Sequence, residues 1–208
     1  MACLDAHRFG DVPWCVSLIS APNIVTFEPA SHAKIANGSA SRDELFARTL
    51  KTDEAIPRCL GFYQAPTTTS DTAISGLPFL LGSCTLLFDL RSGVNGFNGT
   101  AHGGLIVALM DEAMGSYLYI NDQFHRQRKA GGILSPSSRG FENLGFVTAR
   151  MDTKLLKPIY TPQIVMVTSQ LAGVDGRKVR LRVVVEGQNG EEYATCDGTW
   201  ISFTLGRL

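Results

Sequence analysis

The stretch Asn95–Ile120, NGFNGTAHGGLIVALMDEAMGSYLYI, decides how the rest of the chain is read. From Gly104 onward it is apolar on nearly every helical face, and a helix apolar all round is normally a buried one. Two adjacent acids, Asp111 and Glu112, nevertheless stand in its middle. Burying even a neutral polar group without a partner costs on the order of 2–7 kcal/mol, so these carboxyls call for a reason beyond packing. Just ahead, Gly99, Gly103 and Gly104 crowd around His102. The N-terminus of a helix offers free backbone N–H groups and about half a positive charge, a place for a developing oxyanion, and two glycines leave its approach open. If Gly103 and Gly104 begin the helix, Asp111 lies roughly 10 Å further along the axis at 1.5 Å per residue. A reacting carbonyl about 3 Å from the N–H donors cannot also be within reach of that acid. A second, antiparallel copy of the helix brings Asp111 of one chain to the Gly-Gly turn of the other. The spacing therefore predicts a homodimer with two equivalent composite sites, a two-fold arrangement of the commonest kind.

Working outward, Leu80–Leu90 (LLGSCTLLFDL) is β-compatible and reads as the strand before the helix. Beyond Gly145 the pattern becomes strands at Phe146–Lys157, Gln163–Ala172, Lys178–Gly187 and Glu192–Phe203. The last three are joined at Val174-Asp175-Gly176 and Gln188-Asn189-Gly190, and Asp-Gly or Asn-Gly between β-rich runs is the strongest local hairpin signal. Strand, buried helix, then an antiparallel meander is an α+β layout in which one curved sheet wraps one helix. Between them, residues 121–143 are polar, with His125, Arg126, Arg128, Lys129, two glycines and Pro136, and read as an exposed insertion whose charges are solvated or meet phosphates or an acidic carrier protein. Residues 1–76 read as an N-terminal extension: an irregular stretch with Pro13, Pro22 and Pro29, a helix from about Arg42 to Lys51 opened by the capping box Ser41-Arg42-Asp43-Glu44, and a second helical piece over 53–62 interrupted near Pro57. A Thr- and Ser-rich loop from Pro66 to Gly76 separates it from the domain at 77–208.

The totals limit the function. Nineteen basic and nineteen acidic residues among 208 cancel, which removes a general electrostatic case for nucleic acid or an anionic membrane. The five cysteines are scattered, with no Cys-x-x-Cys and no histidine at metal-ligand spacing, so reduced, buried thiols and no metal are expected. No apolar run approaches the ~18 residues of a membrane span, and MACLDAHRFGD lacks a basic n-region with an apolar core. A soluble cytoplasmic protein is the expectation.

The segment Gly99-x-x-His102-Gly103-Gly104, with Asp111 nine residues after the histidine, resembles the signature of the hotdog-fold acyl-CoA thioesterases, in particular their PaaI-like branch. Val147-Thr148-Ala149 followed by Leu155-Leu156-Lys157-Pro158 is similar to that family's second strand. The resemblance covers about residues 80–205. It implies that Asp111 acts as nucleophile or as general base for water, that the N–H of Gly104, with Gly103, polarises the thioester carbonyl, that His102 orients the thioester or the loop, and that Thr148 supports the water or the carboxylate. Asn95, Asn98, Gly99, Glu112, Met114 and Gly115 are expected along the substrate, with Glu112, about 100° round the helix, the less favoured acid. Many relatives carry Asn or Gln six residues before the histidine; here Gly96 stands there. The implied reaction is hydrolysis of an acyl thioester held on CoA or on an acyl carrier protein, with CoA or phosphopantetheine part of the substrate and no separate cofactor, in a homodimer or a dimer of dimers. Two other readings stand beside it: a hotdog acyl-binding protein without turnover, and a hotdog hydratase or dehydratase, disfavoured because no aspartate has a histidine five positions on. Gly-x-Ser-x-Gly is absent, which disfavours a serine hydrolase. His7, His32 and His125 have no chemical context and read as surface residues.

Overall fold

A computed structural model describes residues 6–32, 43–66, 79–135, 137 and 140–205. In chain order its elements are α1 (Pro13–Ile19), β1 (Ile24–Phe27), a helical turn at Leu45–Thr49, β2 (Cys59–Gln64), β3 (Ser83–Leu90), a small hairpin of β4 (Asn95–Phe97) and β5 (Thr100–Ala101), α2 (Gly103–Ala130), β6 (Leu144–Leu155), β7 (Gln163–Asp175), β8 (Lys178–Glu186) and β9 (Glu192–Thr204). Seven strands form one sheet in the order β1-β2-β3-β7-β8-β9-β6, every pairing antiparallel. It wraps α2, and the result is the hotdog fold.

Strand periodicity explains the wrapping. Along β8 the buried residues Val179, Leu181, Val183 and Val185 alternate with more exposed Lys178, Arg180, Arg182 and Val184, so one face turns to the helix and the other to solvent. From α2, Ile106, Leu109, Met110, Ala113, Met114 and Tyr117 fill the concave side. Gly176 and Gly190, at φ +56° and +75°, provide the two turns expected from Asp-Gly and Asn-Gly.

Two expectations are corrected. The helix does not end near Ile120: α2 continues through ten more residues to Ala130, so the first part of the polar stretch 121–143 is helical. Asn121 is fully buried because its side-chain oxygen accepts the N–H groups of Leu80 (3.0 Å) and Leu81 (2.9 Å) while its amide donates to Tyr117 O (3.0 Å). His125 is buried beside Phe141, with ring centroids 6.2 Å apart. Among the described residues the cations of this stretch are already engaged: Arg126 with Asp122 (2.9 Å), Lys129 with Glu142 (2.7 Å), and Arg128 over the Phe124 ring; Arg139 lies outside the described residues.

The N-terminal extension is the second correction. In place of a helical piece over 53–62 stands β2, and with β1 it extends the main sheet beyond β3. The Phe27 ring lies over Gly61, where any Cβ would come within 2.4 Å of it. Only the turn Leu45–Thr49 is helical in the expected 42–51 region; Ser41 and Arg42 lie outside the described residues, as do residues 67–76 of the separating loop.

The extension also covers the outer face of the sheet. Phe9, Cys15 and Ile19 pack on Leu60 and Leu87, with Trp14, Ile164 and Met166 at the margin; each large apolar side chain so buried contributes about 1.5–3 kcal/mol. A charged latch lies beside this cluster. Asp89, 2% exposed, is paired with Arg58 and Arg91, each at 2.8 Å, and Arg58 also holds Asp11 at 2.6 Å and donates to Arg8 O at 2.9 Å. Removing one partner of a buried ion pair leaves a charge uncompensated. Because Arg91 remains, Arg58→Met should lower unfolding free energy by about 2–3 kcal/mol in denaturant titrations; a loss below about 0.5 kcal/mol, typical of exposed pairs, would show that the latch is only a surface ion pair.

Candidate active site

The β4–β5 hairpin delivers His102 to the start of α2. Gly99 turns it at φ +72°, and the N–H of Thr161 donates to Gly99 O at 3.0 Å. His102 is the N-cap: its Nδ1 accepts the N–H of Gly104 at 2.9 Å, and its own N–H donates to Val94 O at 2.9 Å. Of the N–H groups that a helix start leaves without an intrahelical acceptor, those of Gly103 and Leu105 therefore have no acceptor among the described residues. The oxyanion donor expected at Gly104 is engaged by the histidine, and Gly103 is the free donor of the glycine pair. Gly103 also lines a cavity of about 340 Å³ with Thr100, Ala101, Ile106 and the segment 155–159, which includes Lys157.

Gly96 replaces the expected Asn or Gln for a visible reason. A Cβ there would lie 2.5 Å from His102 Cδ2 and 2.8 Å from His102 Cα. The histidine occupies the space an amide side chain would need. Asn95, exposed, accepts from Thr161 Oγ1 at 2.5 Å and so holds the hairpin; Asn98 is exposed at its tip.

Two turns along α2, Asp111 is half-buried and accepts from Thr148 Oγ1 of β6 at 2.6 Å. The two residues expected to cooperate are thus in contact. Gly104, Val107, Ala108, Asp111 and Gly115 are partly exposed or exposed and leave one side of α2 open. Met114 and Leu118 do not belong to that side: both are buried, Met114 against Gly198. His102 and Asp111 share no hydrogen bond, and Asp111 is not among the residues lining the cavity at Gly103. Within one chain the site is in two halves.

Glu112 points elsewhere. It accepts a short hydrogen bond from Ser31 Oγ, with Ser116 Oγ at 3.5 Å, and Ser31 Oγ lies 3.1 Å from His32 Nδ1. Burial pushes its carboxyl above the usual range, the Ser31 hydrogen bond opposes this, and the charges of Asp43 and Asp111 add to the rise. His32 is not a surface residue: it is 2% exposed, its ring 5.9 Å from that of Phe46 and 6.3 Å from that of Phe88. Sequence reading missed Ser31 and His32, and the available signal was Glu112 itself, an acid on a buried helix that needed a donor. Among the described residues no group of three or more His, Cys, Asp or Glu is placed to hold a metal, and no helix is long and apolar enough to cross a membrane.

The family model described as the thioesterase superfamily matches residues 98–194. The matched segment carries the histidine-glycine turn, α2, Asp111 and Thr148, and it is similar to that superfamily. Over 180 residues the chain is 28% identical to verlamelin biosynthesis protein B of Lecanicillium sp, covering 82% of this chain and 77% of that protein; the span exceeds residues 77–208 and so reaches into the extension. Among solved structures, a hypothetical thioesterase protein of Streptococcus pneumoniae TIGR4 with coenzyme A is 14% identical over 60% of this chain and 83% of its own, at a TM-score of 0.47. The E. coli PaaI protein from the phenylacetic acid degradation operon is 13% identical over 60% and 76%, at 0.46.

Burial depresses the His32 imidazole to about 4, with Lys51 and Arg8 adding repulsion, against about 6.5 in an unfolded chain. As pH falls through this window the unfolded chain takes up the proton first, so His32 contributes stability above about pH 6.5 and loses it towards pH 4, in total about 3 kcal/mol. Glu112, raised, works in the opposite sense, so the test is a difference. The stability of the parent relative to His32→Gln should shrink steadily from pH 7 to pH 4.5 in denaturant titrations. A difference that does not change with pH would mean that His32 is not held neutral.

Proposed function

We propose that this chain hydrolyses an acyl thioester at sites formed between two antiparallel copies of itself. The observation that carries the reading is the division just described: the cavity at the α2 N-terminus has a free N–H at Gly103 and no acid, while the acid, steadied by Thr148, stands two turns away on an open helix face. A second copy supplies what each half lacks. β6 supports the pairing. It is the terminal strand of the sheet, twelve residues long, with Val147 about half exposed, and an edge of that kind is a template for another strand. A two-fold axis normal to both β6 and α2 makes the paired strands and the two helices antiparallel.

In this mechanism the thioester carbonyl enters the cavity at Gly103, whose N–H, with the helix dipole, meets the negative charge that develops on oxygen. Asp111 of the other copy removes a proton from the attacking water, or attacks the carbonyl itself, while Thr148 fixes the carboxylate's orientation. His102 sets the shape of the turn by capping it. The thiol leaves as thiolate or thiol. Lys157 at the cavity rim suits a phosphate of CoA or of a phosphopantetheine arm, and no further cofactor enters. Residues 77–208 form the catalytic domain and the first 76 an extension that completes the sheet. The likeness to a biosynthesis protein favours acyl release in a specialised pathway, from CoA or a carrier protein, and a cytoplasmic setting accords with the free buried thiols of Cys15, Cys59, Cys84 and Cys196.

Asp111→Asn should reduce release of free thiol from a panel of acyl-CoA esters by about a thousandfold or more, the scale of losing a nucleophile or base, while sedimentation still reports a dimer. Undiminished turnover would remove Asp111 from the reaction. Binding of every ester without turnover by the parent would favour an acyl-binding protein instead.

A further inference from the structure

The matched segment begins at residue 98, yet one polar contact ties the middle of α2 to the N-terminal extension. Asp111 and Glu112 are neighbours on the helix, and each is held by a hydroxyl from a different wall: Asp111 by Thr148 of β6, Glu112 by Ser31, eighty-one residues away in the chain. Ser31 is 4% exposed. A hydroxyl has one proton to give. Ser31 gives it to the carboxylate, so towards His32 it can only accept, which places the imidazole proton on Nδ1 and leaves Nε2 as the bare nitrogen. That nitrogen is buried with no partner among the described residues, and the ring is lodged beside Phe46 and Phe88. The histidine thus aims the serine, and the serine aims the glutamate.

We propose that Ser31 is a positioning residue for the thioesterase site, acting through Glu112 to fix the turn of α2 that presents Asp111. The proposal rests on the hydrolytic reading given above. With both hydroxyls in place the turn is braced from β6 on one flank and from the extension on the other, and the Glu112 carboxylate is held off the open face that Asp111 shares with the second copy. Among the described residues, the other groups near Glu112 include Ser116 on its own helix, the acids Asp43 and Asp111, and the buried Cys59 thiol. The two acids repel it, so without Ser31 the hydrogen bond left to it among the described residues is the 3.5 Å contact to Ser116. Freed from Ser31, Glu112 turns towards solvent across the face that the acyl thioester must reach.

The test compares Ser31→Ala and Ser31→Thr in the full chain, on whichever acyl-CoA ester of the panel the parent turns over fastest, at a temperature where all three are folded. Misplacing a reacting group by a fraction of an ångström costs rate more than binding. Ser31→Ala is expected to lower kcat about tenfold or more with KM within about twofold, and Ser31→Thr, which restores the hydroxyl, to return most of it. A purely structural role would lower thermal stability in Ser31→Ala and leave kcat within about twofold of the parent; that result overturns the proposal. If the parent releases no thiol, the hydrolytic reading is what has failed, and the brace is then read by hydrogen exchange of the α2 amides over residues 108–116. Faster exchange there in Ser31→Ala, restored in Ser31→Thr, sustains the brace, and equal exchange rejects it.

Discussion

The length of α2 is the constraint on which the rest of the candidate site depends. Twenty-eight residues long, it is buried on one side by the concave face of a seven-stranded sheet, and that burial fixes where its chemistry can be. A rise of 1.5 Å per residue sets the free N–H at Gly103 and the carboxylate of Asp111 too far apart to meet on one carbonyl, and no side-chain movement removes a separation built into the helix. The open face on which they lie, carrying Gly104, Ala108 and Gly115, has side chains small enough for another backbone to approach. The separation of the two halves of the candidate site within one chain and the uncovered helix face are two consequences of the same geometry.

Much of this was legible in the sequence. The meander β7–β8–β9 is marked by β-rich runs with Asp175-Gly176 and Asn189-Gly190 between them, and its boundaries lie within three residues of those expected. His102 next to two glycines, an acid nine positions on and Thr148 beyond were enough to bring the contact Thr148–Asp111 into view. What escaped depends on partners far along the chain. The final turns of α2 look like a polar loop because Asn121 and His125 count as hydrophilic, although Asn121 is buried by satisfying the N–H groups of Leu80 and Leu81. β1 and β2 are short, and Gly61 weakens any strand pattern; its reason is the Phe27 ring lying across it, a pairing only the fold reveals.

The first residues of the chain change meaning in the same way. Read alone, residues 1–76 are an irregular stretch and two short helical pieces; folded, their described part adds β1 and β2, covers the outer face of β2, β3 and β7, and latches onto Asp89 through Arg58. Ser31 then reaches the helix beside the candidate acid. A segment outside the thioesterase match is therefore built into the domain in four ways.

Whether the site is shared between copies is tested most directly by mixing two disabled chains. One carries Asp111→Asn; the other carries Gly103→Val, whose side chain would crowd Leu155, already 3.1 Å from where a Cβ would stand, and close the cavity at the N–H donor. Each alone should be inactive. After joint refolding, with differently tagged chains to confirm mixed dimers, half the dimers hold one of each, and each such dimer has one intact site of its two, so about a quarter of the parental thiol release should return. Mixed dimers that form and stay as inactive as either variant alone would contradict the account.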